Sequence, residues 1–342
     1  MASKRIYFID IARAISIVLI VIYHYQPDDS PSWYLLFNEV IRSFRLPLLL
    51  FVSGYIYWIT RKPIAYKDFV RKKFQRLMIP YFFVSVLVIT LKLFAQGNLQ
   101  VDEPVDLSAF YQMFYLPIVS GFFLWFIYAL FLIFLIMPFF NSRNKLLLLL
   151  GLSLILYFIP VPFTNLFALL NLKLIFCYFV LGCVICEYNE IRQKLSRIHV
   201  LPVLVFFAIG FVLREQIDFA VVVPVLTFLL ALCGIYLVAH FARFLEQKTI
   251  KIRTVLLGMA GCTYTIYLFH TTFEGFAKAL LQFLPFNNSS LFIVKAFIVI
   301  SAGIVAPIIL QKLIGRYSKI LSFLIGVNFS GNKKENLLKP SK

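Results

Sequence analysis

Asp10, Arg13 and His24 stand inside one apolar stretch, FIDIARAISIVLIVIYHY, residues 8–25. Their side chains suit particular chemistries. An imidazole, with an unperturbed pKa of about 6.5, suits a general base that takes a proton from a hydroxyl. A guanidinium stays charged and holds an anion or a developing oxyanion. A carboxylate can pair with the guanidinium. Yet the stretch is long and apolar enough to cross a bilayer, where an Arg or Asp at the helix centre costs about 2.5–3.5 kcal/mol. Ionisable groups in such a span mark either a functional site or a pair made for structure.

Read as an α-helix, Arg13 and His24 are eleven residues apart, about 20° in angle and about 16 Å in height. Asp10 is three residues before Arg13, on the same face. One polar stripe results, with Ile17 and Ile20 between its members, and it faces protein or a water-filled cavity. An anchoring Asp10–Arg13 pair with an interfacial His24 would also account for these residues alone.

Further groups of the same kind follow. FNEVIRSFRLPLLLFVSGYIY carries Glu39, Arg42 and Arg45 in its outer half. Two guanidiniums at that depth need anionic partners or an anionic ligand. Glu39 falls near the level of His24, where a carboxylate orients an imidazole and raises its basicity. CTYTIYLFH ends at His270, with Tyr264 and Tyr267 at spacings of three and Glu274 one turn beyond. The two tyrosines fit packing as well as a site. His199 and His240 lie near cytoplasmic span ends and read as interfacial. RKKFQRLMIPYF puts Arg71, Lys72, Lys73 and Arg76 before Pro80. That cluster reads as an orientation signal or as a clamp for a polyphosphorylated cytoplasmic ligand.

The elements that position these groups are membrane helices. Of 342 residues 61% are hydrophobic, and the mean hydropathy is +0.89. The expected class is all-α: a polytopic helix bundle of about ten spans, near 6–26, 35–60, 74–96, 121–141, 145–162, 166–186, 199–214, 219–242, 254–273 and 291–313. The loop 97–120 is expected to hold a surface helix. Lys and Arg gather in alternate loops, at 61–76, 143–145, 192–197, 243–253 and beyond 312. The intervening loops hold Asp28, Asp29, Asp102, Glu103 and Asp106. The positive-inside rule then puts both termini in the cytoplasm, with the short basic MASKR leading into a retained first span. Insertion accounts for most of the formal charge of +18, and no groove-reading motif points to nucleic acid. Cys177, Cys183, Cys186, Cys233 and Cys262 lie in apolar runs and read as small buried hydrophobes; no metal site is expected.

In order and spacing these stretches resemble the membrane-bound acyltransferase family 3, in its sugar O-acetylase and exopolysaccharide-modifying branch. DIARAISIVLIVIYH carries the family's Arg-to-His spacing of the first span. SFRLPLLLFVSG resembles SFHMPLFFFLSG, FQRLMIPYF resembles KRLLIPYF, LWFIYALF resembles WFLxALF, and YTIYLFH resembles YxxYLxH. Two positions depart: Arg45 replaces the family's usual histidine, and Lys73 replaces the first arginine of an Arg-x-x-Arg pair. The resemblance implies an O-acyltransferase. It moves an acyl group, acetyl above all, from cytoplasmic acyl-CoA to a hydroxyl of an extracytoplasmic or lipid-linked glycan, in a bacterial cytoplasmic membrane. Acetyl-CoA, or another acyl-CoA, is then a co-substrate held by Lys73, Arg76, Arg71 and Lys72. His24 is the base, Arg13 steadies the thioester or oxyanion, and Asp10 and Glu39 support them. Arg42, Arg45, Trp125, Tyr267 and His270 shape the acceptor site. Residues 1–325 form the transmembrane acyltransferase domain and 326–342 a polar cytoplasmic tail. Oligomeric state is left open. A transporter exporting a glycan or anionic solute is the alternative reading, although no paired broken helices mark corresponding halves.

The charge pattern generates a test. A Ser108→Cys variant should react with an impermeant maleimide added to intact cells. Labelling only after permeabilisation would reverse the orientation.

Overall fold

The computed structural model describes residues 6–97, 104–118, 123–160, 164–217, 219, 222–248, 250–282 and 291–330. Among the described residues there is no strand. The helices are α1 Tyr7–His24, α2 Ser32–Arg42 and α3 Arg45–Thr60. Next, α4 Tyr66–Lys73 runs through a π-helical turn, Phe74–Met78, into α5 Ile79–Ala95. The short α6 is Ala109–Gln112, followed by α7 Trp125–Ile136, α8 Arg143–Phe158 and α9 Leu169–Glu187. Then come α10 Asn189–Ser196, α11 Val200–Gln216, α12 Val222–Glu246 and α13 Lys251–Ala260. The last are α14 Thr263–Gln282, α15 Phe292–Tyr317 and α16 Lys319–Leu324.

Helix occupies every segment expected to span. Five continuous helices are long and apolar enough to cross a membrane, and up to seven spans result if two bent pairs count as one each. The expected number was ten. The difference is length: α3 and α8 have 16 residues each, which cover about 24 Å against a hydrocarbon core of about 30 Å. The bent pairs are α10 with α11, at 85°, and α13 with α14, at 90°.

Loops expected on one side meet at one end of the bundle. Arg61 and Arg143 converge on Glu187 at 3.9 and 2.8 Å, and Trp58 Nε1 donates to the same carboxylate at 2.8 Å. At the other end Lys295 approaches Asp29 at 3.7 Å, and the Phe167 amide donates to the Tyr115 carbonyl at 2.7 Å. The surface helix expected within 97–120 is α6, anchored through Tyr81, whose hydroxyl donates to the Met113 carbonyl at 2.6 Å. The first residues of the expected tail, 326–330, pack against the bundle. Gly326, at φ 69°, lies against the Arg76 carbonyl and Pro80, and the Ser330 amide donates to the Gly315 carbonyl at 2.8 Å. Residues 331–342 lie outside the described residues.

Two arrangements position the site. First, α1 is central, packed against α2, α3, α12, α13, α14 and α15, with Ile11, Ile17, Ile20 and Val21 buried. Second, α3 and α9 meet backbone to backbone. A Cβ added at Gly54 would collide with the Phe179 carbonyl, and one at Gly182 with the Phe51 carbonyl. Small residues permit such an approach where helices pack in lipid. Cys183 adds a contact, its sulfur 3.2 Å from the Gly54 carbonyl oxygen.

Because backbone cannot yield as a flexible side chain does, Gly54→Val should destabilise at or above the upper end of the usual overpacking cost of about 1–3 kcal/mol. Gly151→Val, placed where a Cβ meets nothing within 4 Å, should melt with the parent in detergent. Equal melting of both variants would refute the close α3–α9 contact.

Candidate active site

His24 ends α1, and its ring stands 4.9 Å from that of His270 on α14, centroid to centroid. The two histidines named on separate spans are thus one pair. His270 is wholly buried. Its Nδ1 lies 2.8 Å from the Tyr267 carbonyl and 3.1 Å from that of Ile266. Carbonyls only accept, so Nδ1 carries the proton and Nε2 is an acceptor. That Nε2 has no partner among the described residues. Phe123 closes one side, with its ring 5.2 Å from His270 and 6.5 Å from His24. The Tyr267 hydroxyl donates to the Phe123 carbonyl. Tyr267 therefore fixes the wall of the pair.

Arg45 joins this group because the second apolar stretch is broken. Pro47 has no N–H to donate back into α2, so α2 stops at Arg42 and α3 starts at Arg45, where Pro47 falls in the first turn at little cost. The break turns the two arginines apart. Arg45 is buried, its guanidinium carbon 3.4 Å from the centre of the Tyr23 ring, and its charge reaches His24. Arg42 faces the other way and binds Glu39 at 3.1 Å. This corrects the expectation for Glu39. Its carboxylate serves Arg42, and the rings packed against His24 are those of Tyr23, Phe123 and His270, with Arg45 and Lys278 in electrostatic reach. Glu39 and Arg42 instead line a separate pocket of about 290 Å³ with Trp125, Tyr157, Asn171 and Arg214.

Toward the other end, Arg13 lies within electrostatic reach of Asp10 and of Arg76. Arg76 also acts on Lys73. A π-helical turn, Phe74–Met78, begins directly after Lys73 and carries Arg76. The Lys73 ammonium sits 3.5 Å from the centre of the Phe134 ring, with Phe69 and Tyr57 at 5.4 and 5.8 Å. A cation so placed is held by the ring quadrupoles. Arg71, Lys72 and Arg76 are exposed. Tyr264 ties the two halves of the site together, because its hydroxyl donates to the Arg76 carbonyl at 3.0 Å.

Three residues buried at the histidine end were given no role from the sequence: Asn38, Phe123 and Glu274. For Glu274 the signal was present, a carboxyl one turn beyond His270 in an apolar helix. Asn38 and Phe123 carry none that periodicity would reveal. Chemically, the arrangement is a buried imidazole pair beside a guanidinium at one end of α1. Arg13 lies toward its other end, about 16 Å along the helix from His24, with Arg76 in electrostatic reach.

No curated protein and no solved structure matches the chain. The family model described as an acyltransferase domain matches residues 6–312, from the start of α1 into α15 and across every group named above, and the chain belongs to acyltransferase family 3.

Proposed function

We propose that this membrane acyltransferase takes its acyl group from cytoplasmic acyl-CoA, acetyl-CoA in the simplest case. The acceptor is a hydroxyl of an extracytoplasmic or lipid-linked glycan. The observation that carries the reading is the His24–His270 pair, with an unpartnered acceptor nitrogen on His270, at the opposite end of α1 from the cations. An alcohol attacks a thioester poorly until a base removes its proton, and imidazole suits that task. His24 takes the proton in this reading. His270 stands beside it, ring centroids 4.9 Å apart, and its Nε2, without a partner among the described residues, would accept from the bound hydroxyl-bearing ligand.

The oxygen of the attacked thioester becomes negative as the C–O bond forms; its collapse breaks the C–S bond, and coenzyme A leaves as the thiol, with the proton that His24 took passed to its sulfur. Arg45, the guanidinium nearest the imidazoles, is the positive group that would stabilise that oxygen, while Arg13, about 16 Å along α1 from His24, would line the donor's path. Exposed Arg76, with Arg71 and Lys72, would hold the donor's phosphates by charge-assisted hydrogen bonds. Lys73, enclosed by aromatic rings, would set the position of the π-helical turn that carries Arg76.

Two variants test this on purified protein. His24→Ala should lower acyl transfer on the order of 10²-fold or more, the usual worth of general-base catalysis, with coenzyme A binding retained. Near-normal transfer by a folded His24→Ala protein would remove it as the base. Arg76→Ala should weaken coenzyme A binding several-fold, and the loss should shrink at high salt, where screening already weakens such contacts. Unchanged affinity would leave the cluster as an orientation signal.

A further inference from the structure

Buried polar groups in folded proteins almost always have a hydrogen-bond partner, and each exception requires a cause. Among the described residues, unpartnered buried side-chain atoms occur on Asn38, Arg45, Arg253, His270 and Glu274. All but Arg253 belong to the end of α1 that carries His24. His270 and Arg45 belong to the imidazole site already described. Asn38 and Glu274 do not.

Asn38 is 1% exposed, and neither its amide oxygen nor its nitrogen has a partner. It lies close to the Tyr34 hydroxyl without hydrogen-bond geometry. That hydroxyl is committed elsewhere, donating at 3.0 Å to the carbonyl of Ile22, two residues before His24. Glu274 is 2% exposed, and its Oε1 is unpartnered. It follows His270 by one turn of α14 and is electrostatically coupled to Tyr34. Room for its carboxyl comes from Gly303 on α15, where a Cβ would lie 2.9 Å from both Cγ and Oε1. So α2 and α14 each bring a buried side chain with an unpartnered polar atom to the surroundings of Tyr34, Lys278 acts on Glu274 from the next turn of α14, and α15 leaves the space at Gly303. Trp33, 55% exposed, leads from the surface to Tyr34, with ring centroids 5.6 Å apart.

We propose that Asn38 and Glu274 form a polyol subsite that binds hydroxyl groups of a saccharide acceptor next to the one presented to His24. An amide offers both donors and an acceptor, and a carboxyl offers acceptors at close range. Together they match neighbouring hydroxyls on one sugar ring, each of which donates and accepts. The exposed face of Trp33, with Tyr34 beside it, matches the C–H face of the same ring. A simple alcohol would leave these groups unpaired, and sites built to bond hydroxyls reject ligands that lack them. This assignment rests on the acyl-transfer reading and adds the residues that choose the acceptor.

The test uses purified full-length protein in nanodiscs, with acetyl-CoA as donor. The acceptors are a panel of methyl glycosides of glucose, galactose, mannose and N-acetylglucosamine. Thiol release and acetylated product are both read. Asn38→Leu and Glu274→Gln are the variants. Replacing an unpartnered amide by an apolar group of similar shape should leave thermal stability equal or raised. The KM for the best glycoside should rise about tenfold, as expected for lost hydrogen bonds to a bound ligand, with the KM for acetyl-CoA within twofold. Unchanged glycoside KM in both variants would overturn the subsite. So would parallel loss of donor and acceptor affinity, which marks a structural role. Acetylation of none of the four glycosides, with His24-dependent thiol release intact, would overturn the saccharide assignment and leave acyl transfer standing. Absence of any His24-dependent thiol release would overturn the acyl-transfer reading itself.

Discussion

A guanidinium and an imidazole on one apolar helix must be kept away from hydrocarbon. In the bilayer core no water is at hand to satisfy them, and a lipid-facing charge costs several kcal/mol. That constraint orders the bundle. Helix α1 is enclosed by α2, α3, α12, α13, α14 and α15, and the helices that enclose it bring the other ionisable groups. Arg45 arrives on α3, and His270 and Glu274 on α14. The polar stripe is thus covered by polar partners drawn from elements far apart in sequence.

Departures from regular helix then decide which side chains reach the stripe. Three matter. The stop before Pro47 sends Arg42 to one pocket and Arg45 to the imidazoles. The π-helical turn at Phe74–Met78 begins directly after Lys73, held on Phe134, and carries Arg76, in electrostatic reach of Arg13. The 90° bend between α13 and α14 starts a fresh helix at Thr263, so that Tyr264, Tyr267 and His270 run along one face toward His24. Helix irregularities in proteins concentrate at functional sites, and here all three adjoin residues of the two ends of α1.

What was legible in the sequence follows from the same facts. α1 is unbroken, so the alignment of Arg13 with His24 could be computed from 100° per residue. His270 was legible for a similar reason, since it lies on one continuous helix with Tyr264 and Tyr267. The pairing of Glu39 with Arg42 was not legible in the same way, because the break between α2 and α3 lies just beyond it. Of the ten expected spans, all helical, five to seven are long and apolar enough to cross a membrane by themselves. Hydropathy registers apolar stretches but does not distinguish a helix of 16 residues from one of 26. Asn38 and Glu274 became visible only when their neighbours were known, because an orphaned amide is a property of packing and not of pattern.

Such a site has to be stabilised from elsewhere. Every unpartnered buried polar atom costs about 1–3 kcal/mol, and several crowd the end of α1. The opposing term sits at a distance, in the α3–α9 contact. There Gly54 and Gly182 let two backbones touch, and α9 buries Phe176, Cys177, Tyr178, Phe179 and Val180 in succession. Such packing is dispersion-driven and needs no water to be expelled, so it works in lipid as it does in a soluble core. The contact also holds α3, and through α3 the position of Arg45 against Tyr23 and His24. Two missing side chains in the scaffold therefore do for the site what no residue inside it can do, since any side chain that satisfied Asn38 or Glu274 from within the protein would occupy the place of the ligand.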